Sequence, residues 1–258
     1  MKITLLGTGT SVGIPSLGQL GWGKCNPKNP KNLRQRCSVL IQSNDTNILI
    51  DAGPDIKNQL INHNLDGLNA IIITHEHADH ISGLDELRPF YFPKQEKINV
   101  YTIERTAKFL LNRFDYLFEK NEKSQSYFKP PMSLNVLNYY DEINLNGIKI
   151  KTIKQHHGVI DTIGLIINDK FAYCTDVVDF PQDSFNQLRN LETLVITGLR
   201  STPHIAHAHF DLTFSWISEL KPKKAYLTHL SPDSDHDRVL GLCPDNVEPA
   251  YDNMCFNI

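Results

Sequence analysis

Short apolar runs, each closed by polar residues or glycine, recur along the whole chain. Runs of roughly four to eight residues rich in isoleucine, leucine, valine and aromatic side chains are typical of buried strands. Strands are therefore predicted at residues 2–7, 37–43, 46–53, 70–75, 98–103, 148–157, 162–167, 171–176, 193–198, 224–229 and 250–256. Helical periodicity predicts helices at about 54–64, 103–118, 181–190, 211–220 and 233–242.

Many strands with few helices between them predict an α/β fold, an αββα sandwich in which two mixed β-sheets pack together and are flanked by helices. No repeat, linker or low-complexity block divides the 258 residues, so one domain over 1–258 is predicted. Pro54 fits the first turn of its helix, and Asp211 is a candidate cap. The segment 118–133 is polar, then aromatic, then doubly proline, which predicts a mobile loop or arm.

Composition and charge indicate which binding partners and which cellular compartment fit this protein. The net charge of −3 gives no electrostatic case for strong non-specific binding of nucleic acid. No apolar run reaches membrane-spanning length, and the apolar run Ile3–Leu6 is too short for the core of a signal peptide. Five cysteines without a CxxC pair predict a reduced, cytoplasmic setting.

The stretch IIITHEHADH, residues 71–80, runs from a predicted buried strand into three histidines and an aspartate. His75 and His77 are two residues apart, so an extended chain places both imidazoles on one face. If a helix begins in the following ISGLDEL, the intervening turn brings Asp79 and His80 back toward the same point. Three imidazoles and a carboxylate suit zinc, manganese or iron, whereas a solvated turn with incidental histidines is the alternative.

Other predicted strands also end in side chains that can bind metals. These side chains are His156 and His157, Asp176, and His229. Neighbours on an extended strand point to opposite faces, so His156 and His157 cannot both serve. Taken singly, Asp176 could be a turn residue and His229 a core histidine, but four strand ends of the same kind predict one shared site.

HEHADH, followed by histidine, aspartate and histidine, resembles the HxHxDH signature of the metallo-β-lactamase superfamily of hydrolases. The resemblance extends over essentially the whole chain and implies the αββα metallo-β-lactamase fold with two divalent ions, Zn²⁺ or Mn²⁺, at one edge. It also implies which residues bind them. The first ion takes His75, His77 and His157, the second takes Asp79, His80 and His229, and Asp176 bridges both. A hydroxide bridging the two ions is then the nucleophile.

Several further stretches, among them LLGTGTSVGIPSLG, NILIDAGPD and HISGLDELRPF, resemble the phosphoribosyl cyclic phosphate phosphodiesterase branch of the superfamily. That resemblance implies hydrolysis of a small, possibly cyclic ribose, phosphodiester and a possible homodimer, without membrane or nucleic acid. A transfer-RNA 3′-processing endonuclease is one alternative. A non-catalytic binding protein, like the relative that acts in pyrroloquinoline quinone biosynthesis, is another, and a thioesterase is a weaker third.

The motif HFDL implies that His209 stabilises charge or protonates the leaving oxygen, and Asp79 is counted with it as catalytic. The roles of His156, His204 and His207 stay open. Arg34, Arg36 and Arg200 are either phosphate contacts at the rim or ordinary surface arginines. Characterised members of the branch hold a structural zinc with a cysteine cluster, whereas this chain has only Cys25 there. No structural metal is therefore predicted in the loop 18–37, which is instead held by packing, with Trp22 a candidate.

Overall fold

A computed structural model describes residues 1–118 and 129–258. Its first sheet has the strand order β14-β1-β2-β3-β4-β5-β6 and its second the order β13-β12-β11-β10-β9-β8-β7. The strands are β1 Lys2–Gly7, β2 Ser38–Ser43, β3 Thr46–Ile50, β4 Ala70–Ile72, β5 Ile98–Ile103, β6 Met132–Leu137, β7 Glu142–Leu145, β8 Ile148–His157, β9 Ile160–Ile167, β10 Phe171–Cys174, β11 Thr193–Thr197, β12 Lys224–Thr228, β13 Val247–Pro249 and β14 Met254–Asn257. Both sheets mix parallel and antiparallel pairs, as predicted.

Helices cover the outer face of each sheet. They are α1 Ile56–Leu60, α2 Ala78–Ile81, α3 Glu104–Arg113, α4 Asp115–Phe118, α5 Gln182–Gln187, α6 Phe210–Leu220 and α7 His236–Leu240, with 3₁₀ helices at Pro30–Asn32 and Leu84–Phe90. The alternation of side chains along each strand produces three apolar layers. Ile48 and Ile50 pack between the sheets, whereas Leu49 points outward to α1. The predicted αββα sandwich is confirmed.

Several predicted boundaries need correction. The sequence showed no strand signal for β6, β7 or β13, which are short or polar edge segments. The helix predicted at 103–118 is interrupted at Phe114. His209 rather than Asp211 precedes the first turn of α6, and Asp211 lies within that turn. Residues 119–128 of the predicted arm lie outside the described part of the chain.

Parallel pairing gathers the site at one edge of the sandwich. Strands β3, β4, β5 and β6 run parallel, as do β10, β11, β12 and β13. The carboxyl ends of parallel strands meet at the same edge of a sheet, so the residues after β3, β4, β10 and β12 come close together. Those residues include Asp51, His75, Asp176 and His229.

The loop before β2 is held by hydrogen bonds rather than by a thiol cluster. The carbonyl of Pro232 accepts from the amide of Lys24 at 2.8 Å and lies 3.4 Å from Sγ of Cys25. Asn32 donates to Asp235 at 2.7 Å, whereas Trp22 is only half-buried. Within residues 1–118 and 129–258, no group of three metal-binding side chains includes Cys25.

Candidate metal centre

Three overlapping groups of side chains could hold metal ions among the described residues, and their donor atoms lie within 4.8 Å of one another in each group. The first is His75, His77 and His157, the second is Asp79, His80, Asp176 and His229, and the third is His157, Asp176 and His207. All seven residues that the resemblance assigns to metals therefore fall into the first two groups. The helix α2 begins at Ala78, earlier than expected, and carries Asp79 and His80 in its first turn.

The carboxylate of Asp176 lies between the imidazoles of the first and second groups, and its two oxygens face different partners. Oδ1 lies 4.0 Å from Nε2 of His75 and 3.8 Å from Nε2 of His157. Oδ2 lies 3.2 Å from Nε2 of His80 and 3.3 Å from Nδ1 of His229. Each oxygen is thus directed toward a separate set of imidazoles.

Three strand-end residues of this edge adopt the left-handed backbone conformation, which turns the chain sharply as each strand finishes. They are Asp51 with φ 61°, Asp176 with φ 54° and His229 with φ 57°. This conformation costs a non-glycine residue about 1–2 kcal/mol. Hydrogen bonds hold Asp176 in place, since its amide donates to Oγ1 of Thr197 at 2.8 Å. Such strain is characteristic of functional sites.

Asp51 orients His80 from behind. Its Oδ2 lies 2.7 Å from Nδ1 of His80, and it also accepts from the amide and hydroxyl of Thr74 at 2.8 and 2.9 Å. The contact with Asp51 leaves Nε2 of His80 free to face Asp79 and Asp176. Although Asp51 lies in the NILIDAGPD stretch, sequence reasoning gave it no role, and its position directly after a buried strand was the available signal.

Three carboxylates, those of Asp79, Asp176 and Asp51, dominate the electrostatic environment of His80. Burial lowers the pKa of His80, but Asp79, Asp176 and Asp51 outweigh that effect and raise the pKa well above its usual value. Burial would raise the pKa of Asp176, but His229 and His80 hold that pKa well below the usual value. The carboxylates of Asp176 and of Asp79, where His80 outweighs burial and lowers the pKa, are therefore ionised at neutral pH, whereas burial raises the pKa of Asp51. Without a metal ion, a proton on His80 offsets this charge.

Two imidazoles that face Oδ1 of Asp176, those of His75 and His207, are held neutral. Burial, followed by the neighbouring His80, lowers the pKa of His75 well below its usual value. Burial and the adjacent His229 lower the pKa of His207 to about 2. Neutral imidazoles offer the lone pairs that metals require.

The residues fit divalent metal ions. Buried Nε2 of His80 and Nδ1 of His207 have no hydrogen-bond partner among the described residues, although each faces a carboxylate oxygen. The carbonyl of Ala206 lies 2.7 Å from Nδ1 of His157, which leaves Nε2 of that ring facing the group. Buried nitrogen and oxygen donors with fixed partners behind them are typical of zinc and manganese sites.

His207 lies at this centre, and the catalytic role of His209 stays a prediction. The ring of His207 stacks on that of His229 at 4.6 Å between centroids, and its Nδ1 lies 3.7 Å from Oδ1 of Asp176. His209, the predicted catalytic residue, is half-buried before α6, makes no capping hydrogen bond and belongs to none of the three groups in the described chain. His204 lies at the rim, with its ring 5.1 Å from that of His207.

The three candidate arginines have different surroundings. Arg34 is fully buried and donates to Oγ1 of Thr8 at 2.8 Å and to the carbonyl of Ala250. Arg36 pairs with Asp55 at 3.2 Å. Arg200 donates to the carbonyl of Thr202 in its own loop, at 3.4 Å. Arg34 is therefore not a rim residue, and the guanidinium groups of the other two already have partners in the protein.

Sequence and structure comparisons agree with this geometry. The family described as "Beta-lactamase superfamily domain" matches residues 46–230, more than half of the chain. The chain therefore belongs to the β-lactamase superfamily, and its fold and donor groups make it a metal-dependent hydrolase of that superfamily.

A crystal structure described as "a New Diphosphatase from the PhnP Family" superposes with a TM-score of 0.89 at 30% identity, covering 100% of this chain and 97% of that one. An octanoyltransferase from Porphyromonas gingivalis is 28% identical over 98% of this chain and 51% of its own length. A ribonuclease Z from Sulfolobus acidocaldarius is 30% identical over 63% of this chain and 53% of its own length. The chain thus spans about half the length of these two curated relatives.

No helix within the described residues has the length and apolarity needed to cross a lipid bilayer.

Removing the carboxylate behind His80 is expected to weaken metal binding. Asp51→Asn keeps an oxygen for the amide of Thr74 but presents an NH₂ group to the Nδ1–H of His80. We expect affinity for the second ion to fall roughly 10–100-fold, the usual effect of losing such a partner. Competition titration with a chelating dye measures this.

Asp161→Asn is the matched control, because its Oδ1 lies at the same 2.7 Å from Nδ1 of His156, which is not a predicted ligand. Equal metal affinity in the Asp51 and Asp161 variants would show that Asp51 has no positioning role.

Proposed function

We propose that this chain is a phosphodiesterase that uses two metal ions to hydrolyse a small phosphodiester. The main support is Asp176, whose two oxygens face two separate sets of imidazoles, the arrangement expected of a carboxylate shared by two ions. Two such ions would polarise the phosphoryl group, activate water and suit in-line displacement at phosphorus.

The protein side chains would bind the two ions, orient the ligands and stabilise charge on the substrate. His75, His77 and His157 would hold one ion, Asp79, His80 and His229 the other, and Asp51 would fix the direction of His80. We propose that His207, rather than His209, stabilises the charge that develops on phosphorus and on the leaving oxygen, with its neutral imidazole as a hydrogen-bond donor. Its support is an unpartnered Nδ1 facing Asp176 and a ring packed against those of His157 and His229.

A diphosphate ester is a second candidate substrate, favoured by the 30% identical diphosphatase that covers the whole chain. Cleavage of a phosphoric anhydride needs the same metal geometry, so the site does not discriminate between the two. Transfer-RNA processing is less favoured, because the net charge of −3 provides little attraction for RNA. Octanoyl transfer has less support, since this chain matches only half of that relative.

A hydrolysis screen tests the proposal. Protein purified with Zn²⁺ or Mn²⁺ is assayed against bis(p-nitrophenyl) phosphate, a ribose cyclic phosphate, a nucleoside diphosphate ester, an octanoyl thioester and a β-lactam. We expect turnover of phosphorus substrates that is lost with chelator and restored by metal. Faster cleavage of the thioester or the lactam would overturn the assignment as a phosphodiesterase.

The possible homodimer is a separate prediction, and sedimentation of the purified protein checks it.

A further inference from the structure

Two apolar side chains project into solvent beside the metal centre. Val159, two residues after His157, is fully exposed, and Ile205, two residues before His207, is 88% exposed. Single exposed apolar residues are ordinary on protein surfaces. These two differ in lying on the two loops that carry His157, a candidate ligand, and His207, the candidate charge stabiliser.

The two loops are joined to each other, which fixes the positions from which these side chains project. The carbonyl of Ala206 accepts from Nδ1 of His157 at 2.7 Å. Gly158 has φ +61°, and a Cβ atom there would lie 3.0 Å from Cβ of Ala206. The amide of Ala206 donates to Nδ1 of His204 at 3.2 Å. The residues in contact, Gly158 and Ala206, are the chain neighbours of Val159 and Ile205.

We propose that Val159 and Ile205 form an apolar rim that contacts an aromatic group of the substrate, such as an aryl ester or a nucleobase. The proposal rests on the proposed function, because it places phosphorus at the metal centre. The loops that bear His157 and His207 flank the metal centre, so an ester group attached to that phosphorus can extend over them toward Val159 and Ile205. A flat apolar group would bury the exposed methyl groups of both side chains, whereas a small alkyl ester would not reach them.

Binding of two inert phosphinates tests the rim without any turnover, because their P–C bonds are not hydrolysed. Diphenylphosphinate and dimethylphosphinate are titrated calorimetrically into metal-loaded wild-type protein and into the double variant Val159→Ser/Ile205→Ser. The wild type should bind the diphenyl compound at least about tenfold more tightly. The double variant should lose roughly 5–20-fold for the diphenyl compound only, as expected for a few tens of Å² of apolar contact per side chain. Leu240→Ser/Leu242→Ser, which changes two exposed residues at the end of α7, should behave as wild type.

A kinetic measurement separates this proposal from the proposed function. Phenyl p-nitrophenyl phosphate and methyl p-nitrophenyl phosphate share the p-nitrophenyl leaving group and differ only in the second ester, so the rim variant should raise KM more for the phenyl ester than for the methyl ester and leave kcat unchanged. Aryl preference without hydrolysis of either ester would support the rim and contradict the phosphodiesterase. Absence of an aryl preference in the wild type, or an unchanged preference in the double variant, overturns the rim. If that variant instead converts a dimer to a monomer in sedimentation, the two side chains form an interface between copies of the chain.

Discussion

Asp176→Ala is expected to remove both metal ions and nearly all hydrolysis. Oδ1 and Oδ2 of Asp176 face different imidazole groups, so its loss leaves the first ion without a charged ligand and the second with Asp79 alone. Each ion supplies several kcal/mol of charge stabilisation in the transition state, and about 1.4 kcal/mol corresponds to a tenfold change in rate. We therefore expect kcat to fall by at least about 10³-fold, with elemental analysis showing less than one ion per chain.

Two further variants separate the loss of the Asp176 carboxylate from other effects of the Asp176→Ala substitution. Alanine tolerates the left-handed backbone at 176 poorly, whereas asparagine tolerates it better, so Asp176→Asn separates the loss of charge from backbone strain. If strain were the cause, Asp176→Asn would regain both metals and activity. Asp179→Ala is the matched control, because the carboxylate of Asp179 is exposed and accepts only from the amide of Phe180 among the described contacts.

A further variant, His229→Ala, tests whether one ion can be lost without the other. His229 faces only Oδ2 of Asp176, so this variant should lose one ion and keep the other. If Asp176→Ala also kept one full equivalent, Asp176 would belong to a single ion, and the shared-carboxylate arrangement would be wrong.

The strand-end residues could be predicted because strand geometry is simple. His75 and His77 share a face by the two-residue period, and parallel strands bring Asp176 and His229 to the same edge. Nothing comparable exists for residues 201–208, which form a loop. There, the direction of each imidazole depends on contacts with segments that are distant in sequence, such as the hydrogen bond of 2.7 Å from the amide of Ala208 to the carbonyl of Val177, in the loop after β10. Spacing within HIAHAHF therefore could not choose between His207 and His209.

The contrast between local strand geometry and contacts of distant segments also explains other differences between the sequence predictions and the structure. Arg34 lies in a polar stretch that is typical of a surface loop, yet it is buried because its partners Thr8 and Ala250 come from opposite ends of the chain. Strands β6 and β7 carry polar residues and pair at the edges of their sheets, so their apolar pattern is weak. Local periodicity describes each strand, but it does not describe contacts between segments that are far apart in sequence.

His207→Ala is expected to keep both ions and to lose about 10²–10³ in kcat, the usual contribution of a positioned hydrogen-bond donor that stabilises developing charge. The loss should be largest for alkoxide leaving groups, such as a ribose oxygen, which carry the most charge as they leave. It should shrink for p-nitrophenolate, whose ring delocalises that charge. Metal content and kcat on both substrate types are measured for the same preparation.

His209→Ala is the matched variant, since it removes an imidazole two residues away that lies outside the three donor groups of the described chain. We expect it to keep both ions and most of the activity on both substrates. If His209→Ala instead shows the leaving-group dependence and His207→Ala does not, the prediction from the HFDL motif is correct. Loss of metal in His207→Ala, with equal losses on both substrates, would make His207 a ligand, which its place in the group with His157 and Asp176 would also allow.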